Sequence, residues 1–254
     1  PHPTAQVVGL PYQAPGSGHL LGTDFLGRDV FSRVLAGGFV LLGLALLATL
    51  LGLFLGAAAG LVSAYVGGKT EAVIMRVVDV LLALPQIIFA LLLVSVAGPK
   101  PALLVLAVGI SHAPQVTRVL YSAAQDVTER DFVKISRLWG VGLWRVTSRD
   151  VLPNLLGPLM VEFGIRLSSS IIILSGLSFL GFGRQPPAAD WGVMVNENRL
   201  GLELNPLSVI VPAIVVALLA IGANTFSESI ARAALGESGG EEATLASSLG
   251  RAIS

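Results

Sequence analysis

The chain has 254 residues, 54% of them hydrophobic and only 13% charged, with a formal net charge of zero. Soluble domains carry about a quarter charged residues, so this composition, with a mean hydropathy of +0.80, places the chain among integral membrane proteins. Zero net charge makes no electrostatic case for nucleic acid, and the absence of cysteine excludes disulfides and thiolate sites. The three histidines, His2, His19 and His112, are too scattered for a conventional multi-histidine metal site, so no bound metal is expected.

Residues 1–33 are polar, rich in Gly and Pro, and contain the run HLLGTDFLGRDVFSR. Five lipid-compatible stretches follow. No charge occurs between Arg33 and Lys69, more than the ~20 residues a span needs. The small-residue run GAAAG, residues 56–60, suits close helix packing there. The second stretch, 72–97, carries Arg76 and Asp79 near its start, read as a packing pair. It also holds Pro85, which removes a backbone bond and should kink the helix beside Gln86. The third runs over 102–120. The fourth, 155–180, is interrupted by Glu162 and Arg166, and the fifth, 204–226, has Pro206 and Pro212 near its start. The small, polar residues 236–254 read as a mobile tail.

One long run of mixed charge, 122–153, separates the third and fourth stretches. Phe132, Ile135 and Trp139 recur at helical spacing, with Asp131, Lys134 and Arg137 as polar positions around them. Gly140 and Gly142 break this helix, and a second short helix runs into Leu152-Pro153. Such a segment either lies on lipid headgroups or plugs into a partner protein. It carries Arg130, Lys134, Arg137, Arg145 and Arg149, with Arg118 just before it, whereas 181–203 carries only Arg184 and Arg199. The positive-inside rule makes it cytoplasmic. Alternation then puts the Lys69 hairpin and the C-terminal tail inside and residues 1–33 outside. A polar outside segment without a signal peptide needs a helix to export it. A further span is therefore expected before Pro1, which would make six in all.

Three constellations bear on chemistry. Gly68-Lys69-Thr70 imitates the end of a phosphate-binding loop, but Ser63 stands where the first glycine belongs and an apolar helix precedes it, so ATP would have to bind another polypeptide. Ser178 and His112 are the residue types of a hydrolase dyad, yet they fall near opposite membrane faces, where nucleophile and base cannot touch; no catalytic residue is expected. Glu162 and Arg166 are the sharper signal. At i, i+4 they share a helix face and can pair. Charges in mid-membrane cost roughly 2.5–3.5 kcal/mol each on insertion scales, so they face a bundle interior or a water-filled path. With Gln86 they form the candidate translocation path.

The polar loop resembles the cytoplasmic coupling loop of ABC importer permeases, whose pattern is Glu-Ala-Ala, then Gly, then Leu-Pro. The corresponding residues are Lys134-Ile135-Ser136, Gly140 and Leu152-Pro153-Asn154. Three further runs, LGTDFLGRDVFSRVLAG, MRVVDVLLALP and GLSFLGFGRQPPAADWG, narrow the resemblance to the C-type subunit of the dipeptide/oligopeptide (nickel) transport family. The resemblance implies an all-α, polytopic helical bundle of the type I ABC importer permease fold. Residues 34–235 would form the transmembrane domain, with the coupling loop 122–153 inserted. It implies a multi-pass permease in a prokaryotic cell membrane, importing dipeptides or oligopeptides with a sister permease and an extracytoplasmic peptide-binding protein. Two ATP-binding subunits would hold ATP and Mg, and this chain would hold no cofactor. The ATPase-coupling residues would be Asp131, Phe132, Val133, Lys134, Ile135, Ser136, Arg137, Trp139 and Gly140. Lys134 departs from the family's Glu, Leu174 replaces an acidic residue, and an Asn-x-x-Gly-Asp pattern survives only as residues 224–228. The charge reversal at Lys134 calls for a compensating acid on the partner. The rival classes are a secondary transporter or channel, which would need internal inverted repeats that are not visible, and the hydrolase set aside above.

Overall fold

The computed structural model describes residues 3–16, 18–98, 100–128, 130, 145 and 151–229. The coupling residues 131–140 and the tail 236–254 lie outside the described residues. Among the described residues the only extended pairings are three isolated bridges near the N-terminus; the rest is helix and connecting loop.

Helix α1 (Val30–Val66) begins where the Asp29 carboxylate accepts the Ser32 N–H at 3.1 Å, satisfying one of the free donors of a helix start. At 1.5 Å per residue its 37 residues reach about 55 Å, well beyond a ~30 Å hydrocarbon layer. It stops at Gly67 and Gly68, whose φ values of +66° and +59° belong to the left-handed region that glycine enters without penalty. The Gly-Lys-Thr run thus opens the second helix just past this elbow and does not follow a strand.

The second stretch is not one straight helix. Helix α2 (Gly68–Leu82) and helix α3 (Gln86–Ala97) meet at 91°. Pro85 sits between them at φ −57°, ψ 127°, extended backbone that ends one helix and starts the next. The expected kink is a break, because proline both lacks the N–H and disfavours helix in the residue before it. The Arg76–Asp79 pair does not form either. Asp79 instead accepts from Arg118 across on the next helix, with both side chains about half exposed, a pairing worth little.

Helix α4 (Pro101–Thr128) is followed, after the loop, by a 3₁₀ turn (Leu152–Leu155), helix α5 (Leu156–Leu177) and a π turn (Ser178–Phe182). Helix α6 (Trp191–Asn198) and helix α7 (Leu207–Ser229) complete the order. Four helical stretches, Val30–Val66, Pro101–Thr128, Leu152–Phe182 and Leu207–Ser229, are long and apolar enough to cross a membrane, and the α2–α3 pair makes a fifth if the bent pair is one span.

The bundle is centred on α1 against α4. Gly52, Gly56 and Gly60 recur every four residues along α1 and all face α4. A Cβ on Gly52 would lie 2.7 Å from the His112 Cβ, one on Gly56 2.5 Å from the Val116 Cβ, and one on Gly60 2.9 Å from the Thr117 carbonyl oxygen. Helices in lipid gain from such close approach because apolar burial alone does not favour protein over lipid. The expected tight packing at 56–60 is present and extends one turn further toward the N-terminus. Helix α7 is held on α5 by the Ser168 hydroxyl, which donates to the Ala220 carbonyl at 2.8 Å.

Two opposite ends of the bundle are closed differently. At one end Leu61, Ala64 and Tyr65 of α1 pack with Ala124 and Val127 of α4 and with Val151 and Leu155. The helices that flank the polar loop 129–150 therefore meet the Lys69 elbow. At the other end Trp191 of α6 lies on Gly37 and Gly38 and donates its Nε1–H to the Val34 carbonyl at 2.7 Å. There Asp24 accepts from Arg28 at 2.6 Å and from Arg33, while Glu197 accepts from the same two arginines at 3.1 and 3.3 Å. Asn198 and Asn205 bond the backbone of Phe25, Leu21 and Thr23. Residues 21–33 and 191–205 thus meet at one end of the bundle, and the residues flanking the polar loop meet the end of α1 at the other.

Replacing Gly56 with Leu should force α1 from α4. Overpacking of this kind costs roughly 1–3 kcal/mol, so the purified protein should unfold in detergent several degrees below the parent. A Leu at Gly43, where a Cβ meets nothing within 4 Å, should leave the melting temperature unchanged.

Candidate functional site

Lipid offers no partners for polar groups, so those inside the bundle must satisfy one another. Eight of them, from four helices, form one connected chain. Glu162 and Arg166, one turn apart on α5, pair at 2.9 Å with only 6% and 12% of their side chains exposed. Arg166 also donates to the Gln115 side-chain oxygen on α4. The Gln115 amide donates to the Gln86 oxygen at 3.4 Å. The Gln86 amide then reaches His112 Nδ1 at 2.6 Å and Ser111 Oγ at 3.3 Å. His112 Nε2 lies 2.8 Å from Ser170 Oγ, which in turn lies 2.9 Å from Thr49 Oγ1 on α1.

The three path residues read from sequence, Glu162, Arg166 and Gln86, are therefore brought together, although Arg166 and Gln86 meet through Gln115. Both charges are turned inward, away from lipid. Four members of the chain were not legible from sequence: Thr49, Ser111, Gln115 and Ser170. His112 was legible as a polar residue in an apolar helix, but its serine is Ser170. Ser178 lies at the end near α6 and donates to the Asp190 carboxylate at 3.1 Å.

The Ser170–His112 contact has hydrolase-like geometry without hydrolase chemistry. Both residues are fully buried, and Ser170 Oγ is engaged on a second side by Thr49. A nucleophile needs a reacting atom beside it, and packing leaves no place for one. Among the described residues no cluster of His, Asp or Glu has the geometry to hold a metal ion.

The chain of polar groups reaches the surface at Gln86. An open cleft of about 280 Å³ lies there between α3 and α5, lined by Gln86, Ile87, Ser169, Ile172 and Ile173. A second cleft of about 330 Å³, between α2 and the α1–α4 pair, is almost wholly apolar. It is lined by residues such as Leu55, Val73, Val77 and Ile110 and offers no polar group beyond Thr117.

Residues 48–235 match the family described as the binding-protein-dependent transport system inner membrane component. A glutathione transport system permease protein of Pectobacterium atrosepticum is 34% identical over 218 residues, covering 86% of this chain and 72% of that protein. A dipeptide transport system permease protein of Haemophilus influenzae is 32% identical, covering 86% and 74%. Among solved structures, a chain of the inward-facing MetNI methionine ABC transporter superposes with a TM-score of 0.67 at 15% identity, covering 80% of this chain and 97% of that one. The fold is that of type I ABC importer permeases.

The ion pair gives a direct test. Glu162→Ala should leave a buried, uncompensated Arg166 and cost about 3–5 kcal/mol, whereas replacing both residues with Leu should recover most of that stability. Thermal unfolding of the purified variants measures both, and a double variant as unstable as the single one would show that the two charges do not act as a pair.

Proposed function

The chain belongs to the family of binding-protein-dependent transport system inner membrane components, and from that membership we propose that it is the peptide-conducting permease of an ATP-driven importer. It is an integral membrane protein and a transport subunit, working with ATPase and other transporter components. The observation that carries the peptide reading is the relatives: permeases named for glutathione, dipeptide and peptide transport, aligned over most of this chain.

On this reading residues 34–235 form the transmembrane domain, 1–33 lie outside the cell membrane of a prokaryote, and 236–254 form a cytoplasmic tail. A sister permease completes the path, an extracytoplasmic binding protein delivers peptide, and two ATP-binding subunits hold ATP and Mg. The segment 131–139 docks in a groove of one ATP-binding subunit, with Phe132 and Trp139 as apolar anchors and Lys134 facing an acid. Closure of the ATPase pair moves this segment, and the bundle rocks between inward-open and outward-open states. Support for a rigid response comes from the packing of Ala124, Val127, Val151 and Leu155 directly beside the loop. The Glu162–Arg166 pair and Gln86 belong to the path, with Gln86 lining the cleft and the ion pair behind it. No step is covalent.

The complete transporter in proteoliposomes should take up labelled dipeptide when ATP is supplied, and absence of peptide uptake from an assembled, ATP-hydrolysing complex would overturn the substrate assignment. Coupling is read separately. Phe132→Ala and Lys134→Glu should each lower substrate-stimulated ATP hydrolysis, and an acid-to-Lys change in the ATP-binding subunit should restore the Lys134→Glu variant. Unchanged stimulation in both would make the segment a lipid-surface helix.

A further inference from the structure

Of the serines at positions 168–170 on α5, two are engaged. Ser168 bonds the Ala220 carbonyl and Ser170 bonds His112. Ser169 has no hydrogen-bond partner among the described residues, and it lines the cleft between α3 and α5. A serine in a helix ordinarily turns its hydroxyl back to the carbonyl one turn earlier, as Ser63, Ser227 and Ser229 do here. Ser169 leaves its hydroxyl available.

Gln86 lines the same cleft. Its amide nitrogen is committed to Ser111 and His112, and its oxygen receives one bond, from Gln115. An amide oxygen has two lone pairs, so one acceptor position remains. These inward bonds also fix which way the amide points: nitrogen into the bundle, oxygen free to accept. The cleft therefore presents one hydroxyl and one oriented carbonyl oxygen, flanked by the apolar side chains of Ile87 and Ile172, which are 42% and 56% exposed.

Resting on the peptide-permease reading, we propose that Ser169 and Gln86 form a contact point for the main chain of the transported peptide. A peptide unit carries one N–H donor and one C=O acceptor. The Gln86 oxygen accepts the N–H and the Ser169 hydroxyl donates to the C=O. Isoleucines on either side touch whatever side chains flank that unit without selecting among them. Such a patch reads what every peptide shares, and two neutral hydrogen bonds hold it weakly enough to release it. The buried chain of His112, Gln115 and Arg166 has a specific task here: it positions the Gln86 amide.

This cysteine-free chain permits a clean test in the complete transporter reconstituted in liposomes. Ser169→Cys should react with a charged, membrane-impermeant thiol reagent, and alanyl-alanine should slow that reaction severalfold. Phe39→Cys, at a position 82% exposed on the lipid-crossing helix α1, should not react. Ser169→Ala should raise the half-saturating concentration for alanyl-alanine uptake about threefold to tenfold, the equivalent of one hydrogen bond. The depsipeptide analogue, which lacks the N–H, should be taken up less well than alanyl-alanine by the parent and equally well by Gln86→Met. Preferences of the binding protein are common to all variants and cancel in these ratios. Ser169→Cys reacting only with a lipid-soluble reagent, or reacting at an unchanged rate while alanyl-alanine is being imported, would overturn this contact point and leave the peptide reading standing. An assembled transporter that imports no peptide would overturn both.

Discussion

The close approach of α1 to α4 at Gly52 is the contact on which the interior depends. The missing side chain lets His112 come against the α1 backbone, with the Gly109 carbonyl oxygen only 2.9 Å from where a Cβ would sit. One turn earlier, Thr49 reaches Ser170, which His112 also holds. A side chain at position 52 would displace His112, and every bond downstream of it to Gln86, Gln115 and Arg166 would have to reform. In water those groups would find solvent. In lipid an unmade bond costs the full desolvation of the group, so the glycine stripe and the polar chain constrain each other.

The two closed ends answer to different demands. The end with Asp24, Arg28, Arg33 and Glu197 fastens the segment before α1 to the segment around α6. Arg33 is fully buried, yet two of its nitrogens have no partner among the described residues. An arrangement of this kind is not built for maximal stability, since buried ion pairs seldom outperform apolar packing. It fixes position: only the register that brings Asp24 under both arginines neutralises them. The opposite end is closed by Ala, Val and Leu contacts around Tyr65. Apolar contacts tolerate small sliding better than ion pairs do, and this is the end next to the polar loop.

Composition and periodicity made the helical bundle, the apolar stretches and the inward-facing ion pair readable, because each follows from a local cost. Glu162 and Arg166 are four residues apart, and a lone charge in lipid is expensive, so spacing alone predicted pairing. Ser170 and Thr49 escaped notice because hydroxyls cost little and occur on any face; Ser170 meets His112 because it lies at that depth in the bundle, about 12 Å along the helix from Ser178. Pro85 was readable as a disturbance, but not as a 91° break, since that angle depends on where α2 packs once the helix ends. Arg76 and Asp79 had the spacing of a pair, but Arg118 across the gap took Asp79. The run LGTDFLGRDVFSR stood out as a pattern without revealing that its charges close a buried cluster with Glu197, 164 residues further on from Arg33.

A permease must not bind its cargo strongly at any single place, for a deep well along the path delays release as surely as a barrier delays entry. The distribution of polar groups in this bundle fits that constraint. Its strongest groups, Glu162 and Arg166, spend their charge on each other and on Gln115, which removes them as sticky sites while keeping the interior ordered. What reaches the cleft is the middle of the chain: a neutral amide oxygen whose orientation Gln115 and the histidine set from behind. If the proposed path runs along this cleft, charge placed one layer back from it gives rigidity without affinity. On that reading a membrane-embedded ion pair would act on transport without touching what is transported.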